Sequence, residues 1–394
     1  VKPLQSTTVM AAALALIVLA WAPAPAAAQP AVDGNPLFPP AAVQYRGAPV
    51  PGAFPPEAML SGYRSDLSGD GGDYHRIIDQ FPLLRANAPQ VMRANMETVR
   101  GINNAAGATT VERALADDHD DLLLTMSDAW GPTLSEHFRR AVGQGRLPKT
   151  TQLLSGSLAR AGGPASSTFT EKYLYNQDRP FVVHPAAVVR HHREGAGDEY
   201  STSPSFPSGH TSQATWKSIL LATMLPEFGP QMLARGSEVG YNRIVLGVHY
   251  PLDVIGGRMT GMAAAADRLG DPRFRTLIDA AATELRAELE WRCGTTVADC
   301  AATDTPYLSD ERAVAVYGGR MDYGLPKVGP TDLGIIVPDT AQILISGAHP
   351  QLGPEQRAEL LGRTAASSGS PLDRPGADGS WQRLNLAAAW TELP

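Results

Sequence analysis

Four helix patterns follow one another between residues 207 and 293 with hardly a strand signal among them, and that run restricts the chain to a helical architecture. Pro207-Ser208 opens a helix predicted over 209–226, and Pro226 closes it. A second pattern covers 230–247 and ends near Gly247. Pro251 starts the third, which runs to about Leu269; proline's fixed φ suits the first helical turn, where its missing N–H costs nothing. An amphipathic fourth spans about 273–292. Upstream, Leu115, Leu122, Leu123, Leu124 and Met126 read as one amphipathic stretch, and Leu134, Phe138 and Val142 continue in another. Residues 148–176 look helical with an interruption at Gly162-Gly163-Pro164, and 181–206 read as loop. The expected fold class is all-α, a helical bundle.

The flanks differ in texture. Lys2, an apolar run from Val9 to Ala22, Pro23 and Pro25, and Ala26-Ala27-Ala28 before Gln29 make residues 1–28 read as a signal peptide. The expectation is export, to a periplasm or beyond. Residues 29–84 form a lead rich in Pro and Gly, of which 29–56 read as poorly ordered or wrapped in extended form and 57–84 as loop with short helical pieces. Residues 85–300 hold the helical domain. From 301 to 394 the chain becomes an extension of short elements, with helical pieces at 354–366 and between Trp381 and Trp390, and no motif that carries chemistry. No apolar run outside the leader approaches the roughly 20 residues of a membrane helix. The only cysteines, Cys293 and Cys300, read as a local disulfide suited to an oxidising compartment. A net charge of −7 without a basic stripe argues against nucleic acid as a partner.

Three short patterns carry the chemistry. Lys172 stands six residues before Arg179-Pro180; Pro207-Ser208-Gly209-His210 follows; then come Arg243, five residues, His249, three residues and Asp253. Together they supply three fixed cations, a hydroxyl, a glycine backbone and two imidazoles. Cleaving a phosphate ester without a metal needs those parts: charge neutralisation, a nucleophile and a proton donor. Ser208 and Gly209 sit where a helix N-terminus presents unpaired N–H groups to an anion. Asp253 falls in the first turn after Pro251, placed to cap that helix and to accept a bond from one nitrogen of His249. Arg243 is a fork donor for phosphoryl oxygens. Pro180 disfavours helix at Arg179, which frees that side chain to share a pocket with Lys172.

In this order the motifs resemble the type 2 phosphatidic acid phosphatase superfamily, which includes soluble bacterial class A non-specific acid phosphatases, membrane lipid phosphatases and vanadium haloperoxidases. The resemblance covers roughly residues 110–270. It implies a phosphate pocket between helices, with His249 as nucleophile, Asp253 orienting it, and His210 protonating the leaving alcohol and later activating water. It implies that Lys172, Arg179, Ser208, Gly209 and Arg243 hold the phosphoryl oxygens, that a small phosphorylated compound is the substrate, and that hydrolysis needs no metal or cofactor. Vanadate would act as an inhibitor or, in a haloperoxidase, as the cofactor. A lipid phosphate cleaved at a membrane surface, or phosphate binding without turnover, are the other readings. Asn242 stands where the family usually has serine, which puts one supporting contact in question.

The remaining polar clusters read as ordinary surface. Asp117, Asp118, Asp120 and Asp121 near His119 suggest a solvated acidic helix face. His191 and His192 belong to the polar loop, and His184 is a candidate for the pocket mouth. Asp70 and Asp73 lack the spacing of a calcium loop.

Overall fold

The computed structural model describes residues 37–68, 74–156, 159–163, 165–195, 200–374, 376 and 379–393. The expected signal peptide, the first part of the lead, Asp70 and Asp73 lie outside the described residues. The secondary structure described is helical, with no strand among the described residues. The helices that frame the site are α1 (Pro89–Ala105), α2 (Ala108–His119), α3 (Pro132–Gly143), α4 (Pro148–Leu154), α5 (Phe169–Tyr175), α6 (Gly209–Met224), α7 (Gly229–Val245), α8 (Pro251–Gly270) and α9 (Pro272–Cys293). Beyond them lie α10 (Asp310–Gly319), α11 (Pro354–Arg363) and α12 (Leu386–Thr391).

α6 is the axis of the bundle. It packs mainly against α7 and α8, with α9 alongside. Its residues from Thr211 to Met224 are nearly all buried, so it lacks the polar face of a surface helix. Glycine sets how closely α8 approaches. A Cβ at Gly257 would lie 2.4 Å from the Ser208 carbonyl oxygen, and one at Gly261 2.6 Å from that of Ser212. These two positions, one turn apart, let the first turns of α6 and α8 meet, and the Ser208 N–H donates to the Asp253 carbonyl at 2.9 Å.

Charged pairs fasten the outer helices. Arg235 of α7 donates to both oxygens of Asp117 of α2 at 2.9 and 2.6 Å and to Asp128 at 2.9 Å. Asn242 gives Asp117 a further bond of 2.7 Å. Here the expected solvated acidic face is corrected: Asp117 is 1% exposed, paired in the core. Asp121 caps the short helix Leu122–Thr125 through the Leu123 N–H at 2.9 Å and also accepts from Gly156. That cap breaks the single amphipathic stretch expected from Leu115 to Met126 into two helices. Arg146 pairs with Glu288 of α9 through two 2.7 Å bonds, both side chains buried.

The described part of the lead starts as an extended wrap and goes on into short helical pieces at Pro56–Leu60, Arg64–Asp66 and His75–Ile78. Val43 N–H donates to the Gln144 carbonyl at 3.0 Å, Arg146 holds the carbonyls of Val43 and Pro49 at 2.8 Å, and Phe54 N–H reaches Gln152 at 2.8 Å. Much of the C-terminal part packs on the core: α10 and α12 lie on α7, and the Trp390 indole donates to the Pro226 carbonyl at 3.2 Å. The last helix is shorter than the expected 381–390 span because Asn385 caps it through Ala388 N–H at 3.1 Å.

Cys293 and Cys300 form a disulfide, closing a loop of sequence separation 7 at the end of α9. Replacing both by serine is expected to lower unfolding free energy by roughly 2–3 kcal/mol, the loop-closure value for so short a ring. Urea denaturation of the variant checks this.

Candidate active site

Each motif ends up at a helix boundary, where side chains leave the bundle surface. α5 stops at Asn176, whose φ of 46° turns the chain left-handed. Arg179 follows in extended conformation, φ −78° and ψ 152°. Ser208 is the N-cap of α6, its Oγ accepting from Thr211 N–H at 3.3 Å and from the Thr211 hydroxyl at 2.8 Å. With both acceptor sites used, its own proton is the one left to donate. A Cβ at Gly209 would meet Thr168 Oγ1 at 3.0 Å, so glycine keeps this helix start uncovered. Arg243 leaves the last turn of α7.

The centre of the site is a buried histidine between a base and a cation. His249 Nδ1 lies 3.1 Å from Asp253 Oδ2, and its Nε2 lies 3.2 Å from Arg179 Nη1. The same Asp253 oxygen accepts the Tyr250 N–H at 2.9 Å, capping α8 reciprocally. An acceptor on one side and a permanent donor on the other leave one consistent tautomer: the proton on Nδ1, the lone pair on Nε2. Burial lowers the proton affinity of His249 far below its ordinary value, and the charges of Arg179, Lys172 and Arg243 lower it further. The imidazole is therefore held neutral. Burial also raises Asp253 above the usual carboxylate range.

Around this pair stand the cations. Arg179 uses all its N–H groups: on the Ser203 carbonyl at 2.8 Å, Val248 carbonyl at 2.9 Å, Ser203 Oγ at 2.9 Å, Pro204 carbonyl at 3.1 Å, and His249. Burial and the neighbouring Arg243 bring it down to about 10, still charged near neutrality. Lys172 holds the carbonyls of Pro204 and Ser205 at 2.9 and 3.1 Å, and burial together with Arg179 pushes its ammonium down. Arg243 is wholly buried; its Nη1 donates to Asp118 Oδ1 at 2.5 Å, while Nε and Nη2 have no acceptor. Unpaired buried guanidinium donors are costly, and such a pair is suited to an anion's oxygens.

Two residues of this site escaped the sequence reading. Asp118, expected on a solvated face, has a nearly buried side chain facing Arg243, with the Tyr200 phenol donating to it at 2.7 Å and His210 Nε2 3.6 Å away. Although burial opposes its charge, Arg243 and His210 hold its carboxyl well below the usual range. Tyr200 lies beneath three guanidinium groups, its ring centroid 4.6 Å from Arg179, 5.5 Å from Arg190 and 5.2 Å from Arg243. Neither belongs to a spaced motif: Asp118 lies in an acidic run and Tyr200 in a loop, and only the chain's path brings them here. His210 opens the first turn of α6, lowered from its ordinary value by burial and by Arg243. His184 and His192 are exposed and His191 is half-buried. Asn242 faces Asp117, so the position where serine was expected supports α2 instead of touching the pocket.

A helical scaffold with a buried imidazole–carboxylate pair, a helix N-terminus and three converging cations defines an oxyanion-binding class of site. Residues 152–268, which include all eight motif residues, match the model of the PAP2 superfamily. The chain is 29% identical over 150 residues to a non-specific acid phosphatase of Providencia stuartii, covering 38% of this chain and 58% of that protein. It is 31% identical to a non-specific acid phosphatase of Salmonella typhi, over 32% of this chain and 49% of that one. An undecaprenyl-diphosphatase of Bacillus subtilis is 35% identical over 21% of this chain and 39% of its own length. The chain thus spans about half the length of the acid phosphatases it matches.

Proposed function

We propose that the protein is an exported phosphatase that cleaves phosphate monoesters through a phosphohistidine at His249, without a metal. The observation that carries this is the Nε2 lone pair of a neutral, Asp253-oriented imidazole amid Arg179, Lys172 and Arg243. His249 Nε2 attacks phosphorus, the P–O ester bond breaks, and the leaving alkoxide takes a proton from His210. A water then attacks the phosphohistidine, giving its proton to His210, and orthophosphate leaves with the P–N bond broken. The Arg179 N–H now spent on Nε2 becomes free for a phosphoryl oxygen once that lone pair bonds phosphorus. Arg243's two spare donors and the Ser208 hydroxyl serve the developing charge. A bound phosphate dianion reverses the field at His210, raising its proton affinity where an acid is needed. Export rests on the leader-like residues 1–28; no described helix is long and apolar enough to cross a membrane.

The test is release of phosphate from p-nitrophenyl phosphate in the presence of chelator, with acid quenching of a labelled substrate to trap an acid-labile phosphoprotein. Turnover without any trapped phosphohistidine removes the mechanism; bromide oxidation by peroxide after vanadate loading, with no phosphate release, replaces the function.

Asp118 supplies a sharper check. Its charge, 3.6 Å from His210, is what favours the imidazolium against Arg243. Asp118→Asn is expected to lower His210 further, moving the alkaline limb of the kcat profile, which reports the substrate complex, to lower pH by about one unit and reducing kcat near neutrality roughly tenfold. An unshifted limb means that the carboxylate acts only as a brace for Arg243.

A further inference from the structure

A cavity lies between α6, α7, α8 and the C-terminal part. It is lined from α6 by Thr211, from α7 by Ser237, from α8 by Arg258, and from the C-terminal part by Tyr317, Arg320 and Tyr323. The volume open to water in it is about 20 Å³, above the roughly 10–15 Å³ that one water requires. No carboxylate lines it. Arg258 is 5% exposed, and its Nη2 donates to the carbonyls of Met321 at 3.0 Å and Gln382 at 2.9 Å. Its Nε and Nη1, and the hydroxyls of Tyr317 and Tyr323, are buried with no well-aligned hydrogen bond, the Tyr317 phenol lying beside the Arg258 guanidinium.

We propose that this cavity binds a small monovalent anion of the chloride type, held by Arg258 and the two phenols. A guanidinium cannot shed its proton, so a buried one must be neutralised or remain an uncompensated charge. Water fills the volume but leaves the charge. One spherical anion accepts from both O–H groups and from one of the two free guanidinium donors, whose Nε–H and Nη1–H point to different sides, and it cancels the charge. The site also gives residues 301–394 a task, because Tyr317, Tyr323 and the carbonyls of Met321 and Gln382 close the cavity over α8. It touches the first site through one residue: Thr211 lines the cavity and its hydroxyl donates to Ser208 Oγ at 2.8 Å. The proposal does not depend on the phosphatase reading.

The experiment uses the full chain in gluconate buffer, with sodium bromide or chloride replacing gluconate at constant ionic strength. The melting temperature is expected to rise and saturate with either halide, and bromide-soaked crystals to give an anomalous peak in contact with the Arg258 guanidinium. Arg258→Met keeps the length of the side chain without its charge and is expected to lose both signals. Should that variant fail to fold, the double variant Tyr317→Phe, Tyr323→Phe keeps the cation. Its half-saturating halide concentration is expected to rise about tenfold or more, the loss of two bonds to a charged acceptor. A halide-independent melting temperature with no anomalous peak in the cavity overturns the proposal, as does a double variant that responds to halide like the parent.

Discussion

His249→Ala is expected to lower kcat for p-nitrophenyl phosphate by about 10⁴-fold or more, the scale of losing a covalent nucleophile whose partners act as a unit. The remaining cations still bind the ester, so KM should change far less than kcat. No phosphoprotein should be trapped. The imidazole is buried and bonded to Asp253 at 3.1 Å, so the variant also leaves a buried acceptor short of a donor, at a cost of about 1–3 kcal/mol. Circular dichroism and a melting curve separate that loss from the chemical one. A folded His249→Ala enzyme with near-parental turnover would remove His249 from the reaction and the phosphohistidine with it.

Arg243→Ala carries two large effects at once. It deletes the cation whose Nε and Nη2 await an acceptor, and a fall in kcat/KM of about 10²–10³-fold is expected from losing a preorganised donor to the developing charge. It also strands the Asp118 carboxylate, nearly buried and paired to Arg243 at 2.5 Å, at a cost of about 3–5 kcal/mol. The two effects part in the double variant Arg243→Ala, Asp118→Asn: stability should largely return because no unpaired charge is left buried, while activity should not. The destabilisation also has a pH sign. The folded carboxyl of Asp118 is held below its ordinary value, so its contribution is present above the unfolded pKa and disappears as the solution is acidified through the folded one. In Arg243→Ala that acid dependence should flatten. Urea titrations at several pH values, run beside the kinetics, check both statements; recovery of activity in the double variant would refute the role of Arg243.

What the sequence could say depended on how local the cause was. α6, α7, α8 and α9 fall within a few residues of their expected spans because Pro207-Ser208, Pro226, Pro251 and Pro272 act on the adjacent turn alone. The disulfide was legible for the same reason, seven positions separating its ends. The acidic run at 117–121 was misread because its charges say nothing about what faces them. Arg235 and Asn242 stand more than a hundred positions away, and only the packing of α7 on α2 turns a polar patch into a buried pair. Asp118 entered the site by the same route.

The order and spacing of the motif residues, the helix ends that hold them, and the helical class were determined by the sequence itself, since capping, proline geometry and side-chain chemistry act over a few bonds. Which groups became neighbours was decided by the tertiary structure. Gly257 and Gly261 let α8 close on α6, a loop carried Tyr200 beneath three arginines, and the C-terminal part laid two phenols over Arg258. Desolvation and Coulomb forces depend on distance in space, so the state of His249 and the unmet donors of Arg243 and Arg258 exist only once the chain has folded.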